Sequence, residues 1–125
     1  MDKISESFEN YLKAIYLISK KNRGGWVSNS EISDFLGVKP SSVTSILHKL
    51  KQKDFINWKP RKSLRLTSKG KIVAQNVIDK YNHLNLFFKN VLKLKDSLLL
   101  EKLCCGIEHH ITPEVSKALE NLYTD

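Results

Sequence analysis

Phe8, Tyr11, Leu12, Ile15 and Tyr16 recur at i, i+3, i+4, i+7 and i+8, the stripe of a helix with one apolar face. The spacing predicts a first helix ending near Lys21, before the Gly24-Gly25 break. Ser28-Asn29-Ser30-Glu31 then has the form of a capping box, in which Ser28 accepts from the backbone of Glu31 and Glu31 reaches back. It opens a short second helix carrying Ile32, Phe35 and Leu36 up to Gly37, a residue suited to the left-handed position that ends a helix. Pro40 fits the first turn of a third helix, with Val43, Ile46, Leu47 and Leu50 inward. Two short helices joined by a tight glycine-containing turn make a helix-turn-helix.

Beyond it, Phe55-Ile56-Asn57-Trp58 and Leu64-Arg65-Leu66 flank a turn-prone Lys59-Pro60-Arg61-Lys62-Ser63, and the second run alternates at period two. This predicts a two-stranded hairpin with a basic tip, which makes the motif a winged helix. Thr67 can cap a long helix from about Ser68 to Val91, with Ile72, Val73, Val77, Ile78, Leu84, Phe87 and Phe88 on its apolar face. SLLLEKLCCGIEHH reads as another helix despite Gly106, and Thr112-Pro113-Glu114 opens a last one to about Leu122. The fold class expected is mainly α. An N-terminal winged helix-turn-helix lobe with a small two-stranded wing takes residues 1–70, and a C-terminal helical lobe takes 71–125. Leu98, Leu99, Leu103, Ile107, Val115, Leu119 and Leu122 offer more apolar surface than two short helices need to cover one long one, so dimerisation through this lobe is expected.

Composition adds location. No run reaches the roughly 18 apolar residues of a membrane span, and the N-terminus lacks the apolar core of a secretory signal, so a cytoplasmic protein without a membrane partner is expected. The two cysteines are adjacent, an unfavourable geometry for a disulfide, which leaves both thiols free as ligands or redox groups.

The net charge of +8 is concentrated: from Lys39 to Lys80 there are eleven Lys or Arg and two acids, while the remainder has ten basic and eleven acidic residues. One strongly positive segment coinciding with the winged helix points to double-stranded DNA. A recognition helix places its first turns in the major groove, where Lys39, Pro40, Ser41, Ser42, Thr44, Ser45 and Lys49 are expected to make contacts. The helix lacks the Arg, Gln and Asn best suited to bidentate base contacts, so specificity is expected to rest partly on DNA shape and on thymine methyls meeting Pro40 and the Thr44 methyl. Lys59, Arg61, Lys62 and Arg65 on the wing are expected at phosphates or in the minor groove.

One stretch, CCGIEHHITPE, is unexplained by packing alone. On a helix Cys105, Glu108 and His109 stand at i, i+3 and i+4, which presents a thiolate, a carboxylate and an imidazole on one face. The same residues also read as a small core cysteine beside ordinary histidines.

SFENYLKAIY, VSNSEISDFLGVKPSSVTSILHKLKQKDFI, LRLTSKGK and CCGIEHHIT, in this order and spacing, resemble the diphtheria toxin repressor and manganese transport regulator family of metal-activated transcriptional repressors. The resemblance covers nearly the whole chain. It implies a winged-helix lobe, a helical dimerisation and metal-binding lobe, and a divalent transition metal as corepressor, Fe2+ or Mn2+, with Zn2+ and Co2+ possible in vitro. Cys105, Glu108 and His109 match the family's metal motif, with cysteine first as in its iron-responsive branch, and His83 matches a histidine that ligates metal in both branches. The remaining ligand comes from the first helix, where relatives have methionine or aspartate and this chain has Asn10, a weak and uncharged donor. Lys13 and Phe87 replace carboxylates that would serve a second ion, so one ion per subunit is expected. Some relatives carry a further small barrel domain, and the two-lobe form alone is expected here.

The resemblance implies a homodimer that binds operator DNA when metal ties the first helix to the C-terminal lobe, setting two recognition helices to half-sites ~34 Å or a multiple apart. Metal-uptake genes are the expected targets, with no enzymatic activity and no small organic substrate. Two alternatives stay open from the residues themselves. A winged-helix redox sensor would use Cys104 and Cys105 directly, and a metal-dependent hydrolase would use Glu108 as base, without an HExxH arrangement to support it.

Overall fold

The computed structural model describes residues 5–122. In chain order these form α1 (Glu6–Ser19), α2 (Asn29–Leu36), α3 (Pro40–Gln52), β1 (Ile56–Trp58), β2 (Leu64–Leu66), α4 (Ser68–Asn90), α5 (Ser97–Ile107) and α6 (Pro113–Asn121), with short 3-10 turns at Arg23–Gly25 and Glu108–His110. The chain divides into two compact units, residues 1–75 and 76–125, so the division falls inside α4. Among the described residues no helix is long and apolar enough to cross a membrane.

Local chemistry sets most boundaries in the first unit. Ser5 caps α1 through the Phe8 N–H. The Ser28–Glu31 capping box of α2 is formed in both directions, at 3.1 and 3.0 Å, and the amide of Asn22 adds a 2.7 Å bond to the other Glu31 oxygen. Gly37 ends α2 at φ 67°, and the Val38 N–H returns to the Ser33 carbonyl at 3.1 Å. At the end of α3 the same geometry falls on Asp54, φ 65°, with the Phe55 N–H on the Leu50 carbonyl.

The two strands are antiparallel, pairing Ile56 with Leu66, Asn57 with Arg65 and Trp58 with Leu64. Period two places Ile56, Trp58, Leu64 and Leu66 inside and Asn57 and Arg65 outside. Val27 bridges to Leu64 through two backbone bonds, which anchors the hairpin to the entry of α2. One core collects Leu12 and Ile15 of α1, Ile32 of α2, Val43, Leu47 and Leu50 of α3, the inward strand residues and Ala74. Phe35 is half exposed and outside it.

Ile72, expected inward, is 59% exposed. The buried side of the first turns of α4 runs instead through Gly70 and Ala74, four residues apart. Close approach of the helix to Phe55 selects glycine at position 70, and Ile72 lies about 200° around the helix from Gly70. Thr67 caps α4 as expected, accepting from the Gly70 N–H at 3.1 Å, and its hydroxyl donates to the Asp54 carbonyl at 2.7 Å.

In the second unit Val77, Leu84, Leu100, Cys104 and Glu108 are buried. Asp96 caps α5 and Thr112 caps α6. Leu86, Val91, Leu92, Leu98, Leu99, Val115 and Leu122 are exposed, between 40% for Leu86 and 70% for Leu98. The α-helix that the sequence carried through His110 stops at Ile107, and Glu108–His110 tighten into a 3-10 turn. Such tightening at a helix end satisfies late carbonyls at shorter range.

Candidate DNA interface and metal centre

Residues of α3 and the wing share one groove. Pro40 and Thr44 line it from α3, Asn29 from α2, and Pro60, Arg61 and Lys62 from the wing, around about 600 Å³. Lys39, Pro40, Ser41, Ser42, Ser45 and Lys49 are exposed, and Thr44 is half-buried. The wing tip is a tight turn in which the Lys62 N–H bonds the Lys59 carbonyl at 3.0 Å. Pro60 and Arg61 occupy its centre, with Arg61 at φ 66°, the backbone pattern of a type II turn that normally takes glycine at that place. Arginine there places a cation at the most projecting point of the hairpin.

Arg65 behaves differently from the other wing cations. Its guanidinium carbon lies 4.9 Å from the centre of the Trp26 ring, a cation–π contact. Trp58 packs inward, edge-on to His48 of α3 at 4.8 Å between ring centres, and so ties the wing to the recognition helix. Neither aromatic partner was legible as part of this surface from the sequence.

The second cluster lies in α4, α5 and the turn after α5. Glu108 is buried, and its Oε1 stands 3.4 Å from Nε2 of His109, whose side chain is also almost wholly buried. Cys104 is fully buried and Cys105 half-buried, so Cys105 is the more accessible thiol one turn before Glu108. Burial pushes the Tyr81 hydroxyl above its ordinary range, and negative charge on Cys105, Cys104, Glu101 and Glu108 adds to the rise. Nδ1 of His83 meets the Ser116 hydroxyl of α6 at 3.2 Å. Asn10 lies half-buried on α1, in the first unit.

Among the described residues no three His, Cys, Asp or Glu side chains converge on one metal-sized point. Glu108 and His109 are in contact. The donor types nevertheless suit a divalent transition ion: one thiolate, one carboxylate and imidazole nitrogens, with the two anions able to neutralise a dication.

Residues 3–64 match the family model described as the iron dependent repressor N-terminal DNA binding domain, and residues 67–125 match the iron dependent repressor metal binding and dimerisation domain. The chain belongs to the iron-dependent repressor family. This repressor-family chain is 32% identical over 117 residues to an uncharacterized HTH-type transcriptional regulator of Methanocaldococcus jannaschii, covering 94% of the one and 92% of the other. It is similar to the solved manganese regulator SloR at 25% identity and a TM-score of 0.75, over 92% of this chain and 52% of that one. T. acidophilum IdeR shares the fold at 23% identity and a TM-score of 0.76, over 100% of this chain and 56% of that one. The chain thus spans about half the length of these solved regulators. The groove described above lies within the matched DNA-binding domain, and Glu108 and His109 lie within the matched metal-binding domain.

Proposed function

We propose that this protein is a cytoplasmic, metal-activated transcriptional repressor that binds operator DNA as a homodimer and controls metal-uptake genes, with Fe2+ or Mn2+ as its corepressor. The observation that carries the reading is the buried Glu108–His109 pair, in a domain matched as metal-binding, on the same chain as a positively charged winged helix.

In this reading His83, Cys105, Glu108 and His109 are the protein's ligands. A bound dication would add positive charge beside a buried carboxylate and a thiolate. Glu108 offers a carboxylate already withdrawn from water, and the shell around it keeps it from being resolvated. Cys105 contributes the soft donor that favours later transition metals over Mg2+ and Ca2+. The Ser116 contact engages Nδ1 of His83, which leaves Nε2 as the nitrogen available to a ligand. Phe87 packs edge-on to Phe88, with ring centres 5.7 Å apart, and provides no charge for a second ion.

On the DNA side, Lys39, Lys49, Lys59, Arg61 and Lys62 supply phosphate contacts. Pro40, Ser41, Ser42, Thr44 and Ser45 face the bases. Arg65 meets a phosphate from its seat on Trp26.

Anaerobic titration calorimetry with Mn2+ and Co2+ tests the metal site. One tightly held ion per chain is expected, lost in Glu108→Ala and in His109→Ala. With Co2+, a thiolate charge-transfer band should vanish in Cys105→Ser and persist in Cys104→Ser. Two tightly held ions per chain, or unchanged binding in Glu108→Ala, contradicts the assignment.

A further inference from the structure

Asn29, the first residue of α2, reaches across fifteen residues to the recognition helix. Its Nδ2 lies 2.9 Å from Thr44 Oγ1 and 3.4 Å from the Pro40 carbonyl oxygen. Thr44 Oγ1 in turn donates to the same Pro40 carbonyl at 3.1 Å. A carbonyl oxygen accepts only, so the amide atom that faces it must be the nitrogen, and the network fixes the orientation of the Asn29 amide. The Thr44 hydroxyl therefore has its proton committed to Pro40 and one lone pair committed to Asn29.

A threonine rotamer places hydroxyl and methyl together, because both sit on Cβ. Holding Oγ1 against Asn29 and Pro40 thus also fixes the methyl. The neighbouring groove wall is the Pro40 ring, another group without a donor. In the major groove the matching partner for such a surface is the 5-methyl of thymine.

We propose that Asn29 is a specificity-determining positioning residue, which ties up the Thr44 hydroxyl so that Thr44 reads DNA with its methyl group, against a thymine methyl. The inference rests on the DNA-binding role proposed above. Neither helix alone would supply this reading: the amide comes from α2 and the reading group from α3. Removing the amide leaves the hydroxyl held by the Pro40 carbonyl alone and frees its lone pair to accept from a base, which changes what the position prefers.

The test begins with selection of preferred sites from a random double-stranded DNA library by the metal-loaded full chain. Single thymines in the selected site are then replaced by deoxyuridine, which deletes only the methyl. One thymine is expected to show about a fourfold loss of affinity on that replacement, the scale of one buried methyl. Thr44→Val, which keeps the methyl and deletes the hydroxyl, should retain the preference for thymine over deoxyuridine at that position. Thr44→Ser, which does the reverse, should abolish it, and Asn29→Ala should reduce it. Loss of the preference in Thr44→Val to the degree seen in Thr44→Ser would overturn the proposal. So would insensitivity of the wild-type protein to deoxyuridine at every thymine, an arm that requires no variant to fold. Failure of the wild-type chain to bind DNA at all would instead sink the DNA-binding role itself.

Discussion

Gly70 lies against Phe55 so closely that a Cβ on Gly70 would overlap the Phe55 carbonyl oxygen and press on the Leu66 side chain. The same stretch carries the Thr67 cap, whose hydroxyl holds the Asp54 carbonyl, and Lys69, whose Nζ bonds the Lys53 carbonyl at 2.9 Å. The start of α4 is thereby clamped to the end of the recognition helix. Gly70→Ala should destabilise the winged unit by roughly 1 to 3 kcal/mol, because backbone rather than a mobile side chain must yield. Gly106→Ala is the counterpart, since a Cβ at Gly106 meets nothing within 4 Å in the last turn of α5. It should stabilise by roughly 0.5 to 1 kcal/mol. Urea unfolding of both variants beside the wild type reads the two signs, and equal effects would contradict the clamp.

Much of the local architecture was legible because its causes are local. Ser28 with Glu31, Gly37, Pro40, Thr67 and Thr112 each act within a few residues, and each does in the structure what its position in the sequence implied. The face of α4 was less legible. Its early buried positions are the small Gly70 and Ala74, which hydrophobicity ranks below Ile72, and at Gly70 proximity to Phe55 explains the choice. The end of α5 was misread for a similar reason, as the tightening at Glu108 leaves no mark in an apolar period. Asn29 with Thr44, Trp26 with Arg65 and His83 with Ser116 were invisible, because such partners are brought together by packing across fifteen or more residues.

Acid should weaken the winged unit through Glu31. Its carboxyl is held below its ordinary value, first by the Asn22 amide and then by the Ser28 backbone and hydroxyl. A depressed carboxylate gives stability that is complete above the unfolded value, about pH 4.5, and is lost as pH falls through the lower folded value. Glu31→Gln should therefore flatten the pH dependence of unfolding below about pH 4.5 and lower stability above it. An unaltered acid profile in this variant would remove Glu31 from the account.

Arg61 combines a strained backbone with an exposed charge, and two substitutions separate them. Arg61→Gly relieves a left-handed non-glycine residue and should raise stability by about 1 kcal/mol. Both Arg61→Gly and Arg61→Ala should weaken DNA binding across sequences and make the salt dependence shallower by about one ion. Fluorescence titrations at several salt concentrations check this, and an unchanged slope takes Arg61 off the phosphates.

The exposed leucines of α5 set the expectation for assembly. Leu98 is 70% exposed and Leu99 43%, so covering what remains of the two side chains gains roughly 1 to 2 and about 1 kcal/mol. Leu98→Glu combined with Leu99→Glu should convert a dimer to a monomer in sedimentation at micromolar concentration, with helical content preserved. A monomeric wild type, with and without metal, would contradict dimerisation through this face.

Linkage between the metal site and DNA affinity is the central claim. The direct measurement is an anaerobic binding titration on the library-selected DNA, run with chelator and then with Fe2+, Mn2+, Co2+ or Zn2+, for the wild type and for Glu108→Ala. A gain of about 5- to 150-fold with at least Fe2+ or Mn2+, the usual range of such coupling, is expected in the wild type, and none in Glu108→Ala. Equal affinity with chelator and with every metal, or a full metal response in Glu108→Ala, would contradict it.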